Sequence, residues 1–77
     1  MAVKTYCTYG LYDEDSANSL EEGECCERFT YWDKDIGRVT LENVKINSIS
    51  KNEVTIELED YTQIDIKVTD IIDWESN

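Results

Sequence analysis

The chain has 77 residues, 18 of them acidic and 7 basic, with no histidine, no proline and a formal net charge of −11 at pH 7. That length allows one domain, residues 1–77, which buries only about 60% of the surface its unfolded chain exposes. The missing histidine removes the commonest general base, metal ligand and pH switch, and seven dispersed bases among 18 acids exclude a phosphate-neutralising stripe for direct nucleic-acid binding.

The acidity is not a tail. Residues 1–38 hold nine acids and four bases, and residues 39–77 hold nine acids and three bases, so the halves carry −5 and −6. An even spread gives the whole folded surface a negative field, which repels nucleic acid and anionic membrane and steers toward basic surfaces. The three cysteines, Cys7, Cys25 and Cys26, are an odd count, and adjacent cysteines bridge each other only under strain. Residues 1–11 lack the apolar stretch of a signal peptide, and no apolar run reaches membrane-spanning length. These features point to free thiols in a reducing, cytoplasmic setting with no membrane association.

Residue choice favours strands. Ile and Val number 13, Ala and Leu six, and branched side chains suit a pleated, half-buried surface. The first expected strand runs from Val3 to Tyr12. It sets Val3, Thr5, Cys7, Tyr9 and Leu11 on one face and Lys4, Tyr6, Thr8 and Tyr12 on the other. Asp13 to Glu24 reads as a long acidic loop, in which Ser19 and Glu22 have capping-box spacing for one helical turn before Gly23. A second strand is expected from Cys25 to Trp32, with Phe29 and Tyr31 opposite Arg28, Thr30 and Trp32. Asp33 to Gly37 is a turn.

The third strand, Arg38 to Ser50, breaks phase twice. Val39 and Leu41 are odd, Val44 and Ile46 even, and Ile49 odd again. Bulges near Asn43 and near Asn47–Ser48 restore one inward face. Ser50 to Glu53 is a hairpin turn, with Asn52 suited to the left-handed region. Val54, Ile56 and Leu58 then point in, as do Ile64, Ile66 and Val68, with a turn from Glu59–Asp60 between the two runs. Thr69 caps a last short turn holding Asp70, Ile71, Ile72, Asp73 and Trp74. The expected fold is mainly β: a small five-stranded antiparallel sheet or partly open SH3-like barrel, with at most one or two short helical turns.

No arrangement of residues calls for catalysis, and no cofactor is expected. Asp13 to Glu24 can be laid on a twelve-residue calcium loop, with Asp13, Asp15 and Glu24 as ligands and Leu20 at the apolar position. Ala17 then stands where an oxygen ligand belongs and Asn18 where the sharp-turn glycine belongs. Cys25 and Cys26, adjacent in a strand, point to opposite faces and cannot readily share one zinc ion. Nucleophilic catalysis lacks a base beside Cys or Ser.

The sequence therefore reads as a non-enzymatic acidic binding protein that engages a basic surface of a partner, such as a nucleic-acid-binding protein or nuclease. The candidate partner-binding residues are Asp13, Glu14, Asp15, Glu21, Glu22 and Glu24 in the loop, and Glu57, Glu59 and Asp65 on the outward face of the 54–68 hairpin. In style this resembles phage-encoded, nucleic-acid-mimicking inhibitors of restriction or CRISPR nucleases, with no motif matched residue by residue. Two alternatives stand beside it. One is a structural or adaptor barrel with an apolar-aromatic or homodimer interface along a strand edge. The other is a weak calcium module using the 13–24 loop.

Overall fold

A computed structural model describes residues 4–7, 10–14 and 17–76. Strand follows strand: β1 (Lys4–Cys7), β2 (Gly10–Asp13), β3 (Asn18–Leu20), β4 (Cys25–Asp33), β5 (Gly37–Ile49), β6 (Glu53–Glu57), β7 (Gln63–Lys67) and β8 (Ile71–Ser76), with a 3-10 turn at Val68–Asp70. They form two antiparallel sheets. One has the order β1-β2-β3, the other β7-β6-β5-β4-β8. The five-stranded sheet does not close, since β7 and β8 end it without pairing to each other. The mainly β, partly open architecture expected from the residues is therefore present. Among the described residues no helix is long and apolar enough to cross a membrane.

The long strand β5 changes phase at both expected places, but only the second is a bulge: register with β4 holds through Asn43, where Cys26 faces Val44 and Arg28 faces Glu42. Asn43 takes a φ of 54°, the left-handed region that Asn tolerates better than most residues. Further on, Ile46 faces Ile56 while Ser48 faces Thr55, so Asn47 is the extra residue. The inward set thus steps from Leu41 to Val44, Ile46 and Ile49. Phe29, Val44, Ile46, Val54, Ile56, Ile66 and Trp74 form the centre of the core, with Leu11 and Leu20 of the smaller sheet packed into it.

Four expectations need correction. The first expected strand is two strands, β1 and β2, folded as a hairpin in which Cys7 faces Gly10. Gly10, at a φ of 145°, lies so close to β3 that an added Cβ would come within 2.1 Å of the Leu20 carbonyl oxygen. Val3, Thr8 and Tyr9 lie outside the described residues. The capping-box turn at Ser19 is absent, because Ser19 sits in β3 opposite Tyr12. Residues 71–74 are not a helical turn; they open β8. Ile71 and Trp74 are both buried although three residues apart, which imitates a helical period. The cause is a bulge: Thr30 faces Asp73 and Tyr31 faces Ile71, leaving Ile72 over. Finally, Asn52 is not among the described residues with positive φ; the turn is closed instead by Ser50, whose N–H and Oγ–H both donate to the Glu53 carbonyl, at 2.8 and 3.1 Å.

Two consequences can be measured by chemical denaturation. Ile56→Ala or Ile66→Ala should cost about 2–5 kcal/mol, whereas Thr55→Ala, on the opposite face, should stay within about 1 kcal/mol. Asn43→Gly should be nearly neutral, while Asn43→Val, which forces a β-branched residue to positive φ, should cost about 1–3 kcal/mol. Equal effects of the two Asn43 variants would contradict its left-handed backbone.

Candidate functional site

The acidic 13–24 segment is not a free loop. Asp13 is 3% exposed in β2 and is engaged within the fold rather than presented to solvent. Glu22 accepts a hydrogen bond from the Ile49 N–H at 2.8 Å. Glu24 accepts one from the Ser76 hydroxyl at 2.9 Å, while its other oxygen is buried without a partner. Backbone bonds reinforce these ties, from the Gly23 N–H to the Ile46 carbonyl at 2.7 Å and from the Ile46 N–H to the Glu24 carbonyl at 2.8 Å. Asp13, Glu22 and Glu24 thus act as braces of the fold. Glu14 and Glu21 are exposed, and Asp15 lies outside the described residues. The calcium-loop geometry is replaced by a strand hairpin, in which Asp13 faces Asn18 and the turn bends at Ala17, φ 56°. Among the described residues no three of His, Cys, Asp or Glu are grouped to hold a metal ion.

The second group lies on the outer face of β6 and β7. Asp65 accepts the Thr55 hydroxyl at 2.7 Å, and Glu57 accepts the Asn47 side-chain amide at 3.3 Å. Glu57 also faces Lys45 across the strands. Glu59 sits beyond β6 in an exposed turn. There Thr62 donates its N–H to Asp60 at 3.0 Å, and Thr62 holds the Asp60 carboxyl below its usual range. The same turn presents Tyr61, 81% exposed at a φ of 69°.

A third acidic surface emerges only from strand register. On the outer face of β8, β4 and β5, cross-strand rows run Glu75–Arg28–Glu42 and Asp73–Thr30–Thr40. Arg28 donates to Glu75 through both Nε and a terminal nitrogen, and this ion pair, with Glu27 and Glu42 nearby, raises the guanidinium above its ordinary value. Both partners are half-exposed, so the pair adds little stability. A shallow cleft of about 270 Å³ opens beside it, lined by Arg28, Thr30, Thr40, Asp73, Trp74 and Glu75. Asp73 and Glu75 escaped the sequence reading because the bulge at Ile72 disguised their strand. Glu42 was readable, since it alternates with Val39 and Leu41.

No family model matches the chain, and no curated protein or solved structure matches it significantly.

The two described thiols differ sharply. Cys25 is exposed; Cys26 is buried in the core. Burial pushes the Cys26 thiol from 9.0 up to about 12, with the negative charge of Glu24 and then Cys25 adding to it. A raised value favours the neutral thiol in the fold, so its contribution to stability holds below pH 9.0 and is lost as pH climbs toward about 12. In a Cys7→Ser background, an aromatic disulfide reagent at neutral pH should label Cys25 quickly and reach Cys26 only as the protein unfolds. Equal labelling rates would contradict the burial of Cys26.

Proposed function

We propose that this protein is a non-enzymatic acidic module that engages a basic surface on a partner protein, acting as a mimic of nucleic-acid charge in the manner of an inhibitor of a DNA- or RNA-handling enzyme. The observation that carries the reading is the state of its carboxylates. Twelve of the 17 acidic side chains among the described residues are exposed, and of these Glu75 is ion-paired, to Arg28. A surface built only for solubility needs a net charge of magnitude about 2–8; this one carries −11 and leaves it largely unneutralised.

The outer face of β8, β4 and β5 is the leading contact surface. Exposed Glu27, Glu42, Asp73 and Glu75 surround a single arginine there. Carboxylates on a sheet repeat about every 7 Å along a strand and about 4.8 Å between strands, a dense rigid array that competes with phosphates for lysine and arginine. Glu14, Glu21, Glu59 and Asp65 extend the field beyond it. Asp13, Glu22 and Glu24 belong to the folding machinery in this reading.

The test uses surface-immobilised nucleases and DNA-repair enzymes, with the protein passed over them from ~50 to ~500 mM salt, where screening shortens from beyond ~10 Å to a few Å. The expected outcome is binding that weakens steeply with salt, competes with duplex DNA and falls in the combined Glu42→Gln, Asp73→Asn, Glu75→Gln variant. Binding indifferent to salt and DNA, or no binding across the panel, overturns the proposal.

A further inference from the structure

The end strand β7 has a free side whose orientation can be derived. The Leu58 N–H donates to the Thr62 carbonyl at 2.8 Å, and the Val68 N–H donates to the Asn52 carbonyl at 2.9 Å. These bonds bracket the β6–β7 ladder, in which Glu57 faces Gln63 and Glu53 faces Lys67. Antiparallel pairs alternate between bonded and non-bonded. The bonded pairs are therefore Ile56–Ile64 and Val54–Ile66. The main-chain N–H and C=O of Gln63, Asp65 and Lys67 then point away from β6, toward the side where no described strand pairs.

That side opens on a cleft. Although β4 and β7 are separated by β5 and β6 in the sheet, residues 31–34 at the end of β4 line the same cleft of about 250 Å³ as residues 65–67 of β7 and Asp70 of the 3-10 turn. The curl of the sheet has brought its unpaired margin against the β4–β5 hairpin without sealing it. The hairpin tip adds apolar surface: Trp32 is 53% and Ile36 74% exposed. Ile36 is held at the tip because Asp33 accepts both the Asp35 N–H, at 2.8 Å, and the Ile36 N–H, at 3.3 Å. Three aspartates and two lysines line the cleft, within a chain of −11.

We propose that this seam receives an extended, lysine- or arginine-bearing segment of the partner, added antiparallel to β7 as a further strand. The proposal deepens the function proposed above and rests on it for the sign of the partner's charge. Register gives the segment's pattern. The residue opposite Asp65 shares its outer face and is basic; its neighbours face inward with Ile64 and Ile66 and are apolar. A second copy of this chain is a poor occupant. Antiparallel self-pairing centred on Asp65 sets that carboxylate against its own copy, and each copy carries −11. The charged alternation of Asp65 and Lys67 on so short an edge also guards against indiscriminate pairing.

The experiment titrates the full chain with a short acetylated peptide alternating lysine and valine, followed by amide NMR and by Trp32 fluorescence, with Trp74 buried as the internal constant. The expected result is saturable binding with the largest shifts, and slowed hydrogen exchange, at the amides of Gln63, Asp65 and Lys67. Asp65→Asn, which keeps an acceptor for Thr55, should weaken binding about twofold to fivefold. The same peptide methylated on alternate backbone nitrogens should lose its affinity, since it cannot pair with an edge. Equal binding of the methylated peptide, or shifts centred on Asp73 and Glu75, overturns strand addition while leaving the acidic-binder reading intact. No binding of either peptide, or concentration-dependent dimerisation through β7, overturns the seam proposal alone. Loss of salt-dependent partner binding in the preceding test overturns both.

Discussion

Strand β5 has to serve two partners that point in different directions. Its residues 37–45 pair with β4 and residues 45–49 pair with β6. A straight strand cannot do this and keep one face inward. The left-handed residue at Asn43 and the extra residue at Asn47 bend the strand and reset its phase, so that Val44, Ile46 and Ile49 all reach the core. A matching irregularity occurs in β4, where Glu27 is the extra residue against β8, allowing Cys26 and Phe29 to point inward three residues apart. Sheet curl, core composition and the approach of β7 to the β4–β5 hairpin all follow from these departures from regular pairing.

A curled five-stranded sheet of this size exposes one end of its core. The β1–β2–β3 sheet supplies the missing cover through Leu11 and Leu20, both fully buried. Polar groups then hold the cover in place. Asn18 reaches the Trp74 carbonyl at 3.5 Å, Glu22 takes the Ile49 N–H, and Glu24 takes the Ser76 hydroxyl. One Glu24 oxygen and the Trp74 Nε1 are buried there without a protein hydrogen-bond partner. Marginal stability and self-repulsion at −11 push the same way. The apolar core offsets them, which is why its Ile residues carry so much of the fold.

Residue pattern revealed the central hairpins because their alternation is clean and their inward faces are purely branched aliphatic, as with Val54, Ile56, Ile64 and Ile66. It revealed both phase breaks of β5, the bulge at Asn47 and the left-handed residue at Asn43, because a break shifts phase visibly when both flanks are apolar. It failed where a bulge was flanked by too few residues. Ile71 and Trp74 differ by three positions, a spacing that a helix and a bulged strand share. It failed at Gly10, where a hairpin turn hid inside continuous alternation. It failed also at β3, because acids and serines around a single Leu20 read as loop. The surroundings of the acidic side chains were hidden for the same reasons. Asp13 and Glu24 looked fully solvated only because their segment looked like a loop, Glu22 is exposed yet also bonds the Ile49 N–H, and Asp73 and Glu75 gained a shared face with Arg28 only when β8 became a strand.

The distribution of charge explains how so small a sheet can leave a margin open. An unpaired edge is an invitation to self-association, and closure into a barrel is the usual remedy. Here the sheet stays open, and protection comes from the field. Any two copies approach against the repulsion of −11 on each, and the edge residue that would meet its own copy is Asp65. Repulsion of this kind is selective. A field of this sign disfavours like-charged partners and nucleic acid and speeds the approach of basic ones. In the proposal made above the acidity and the open seam are one device: the charge that opposes self-pairing of the edge would also select a basic segment.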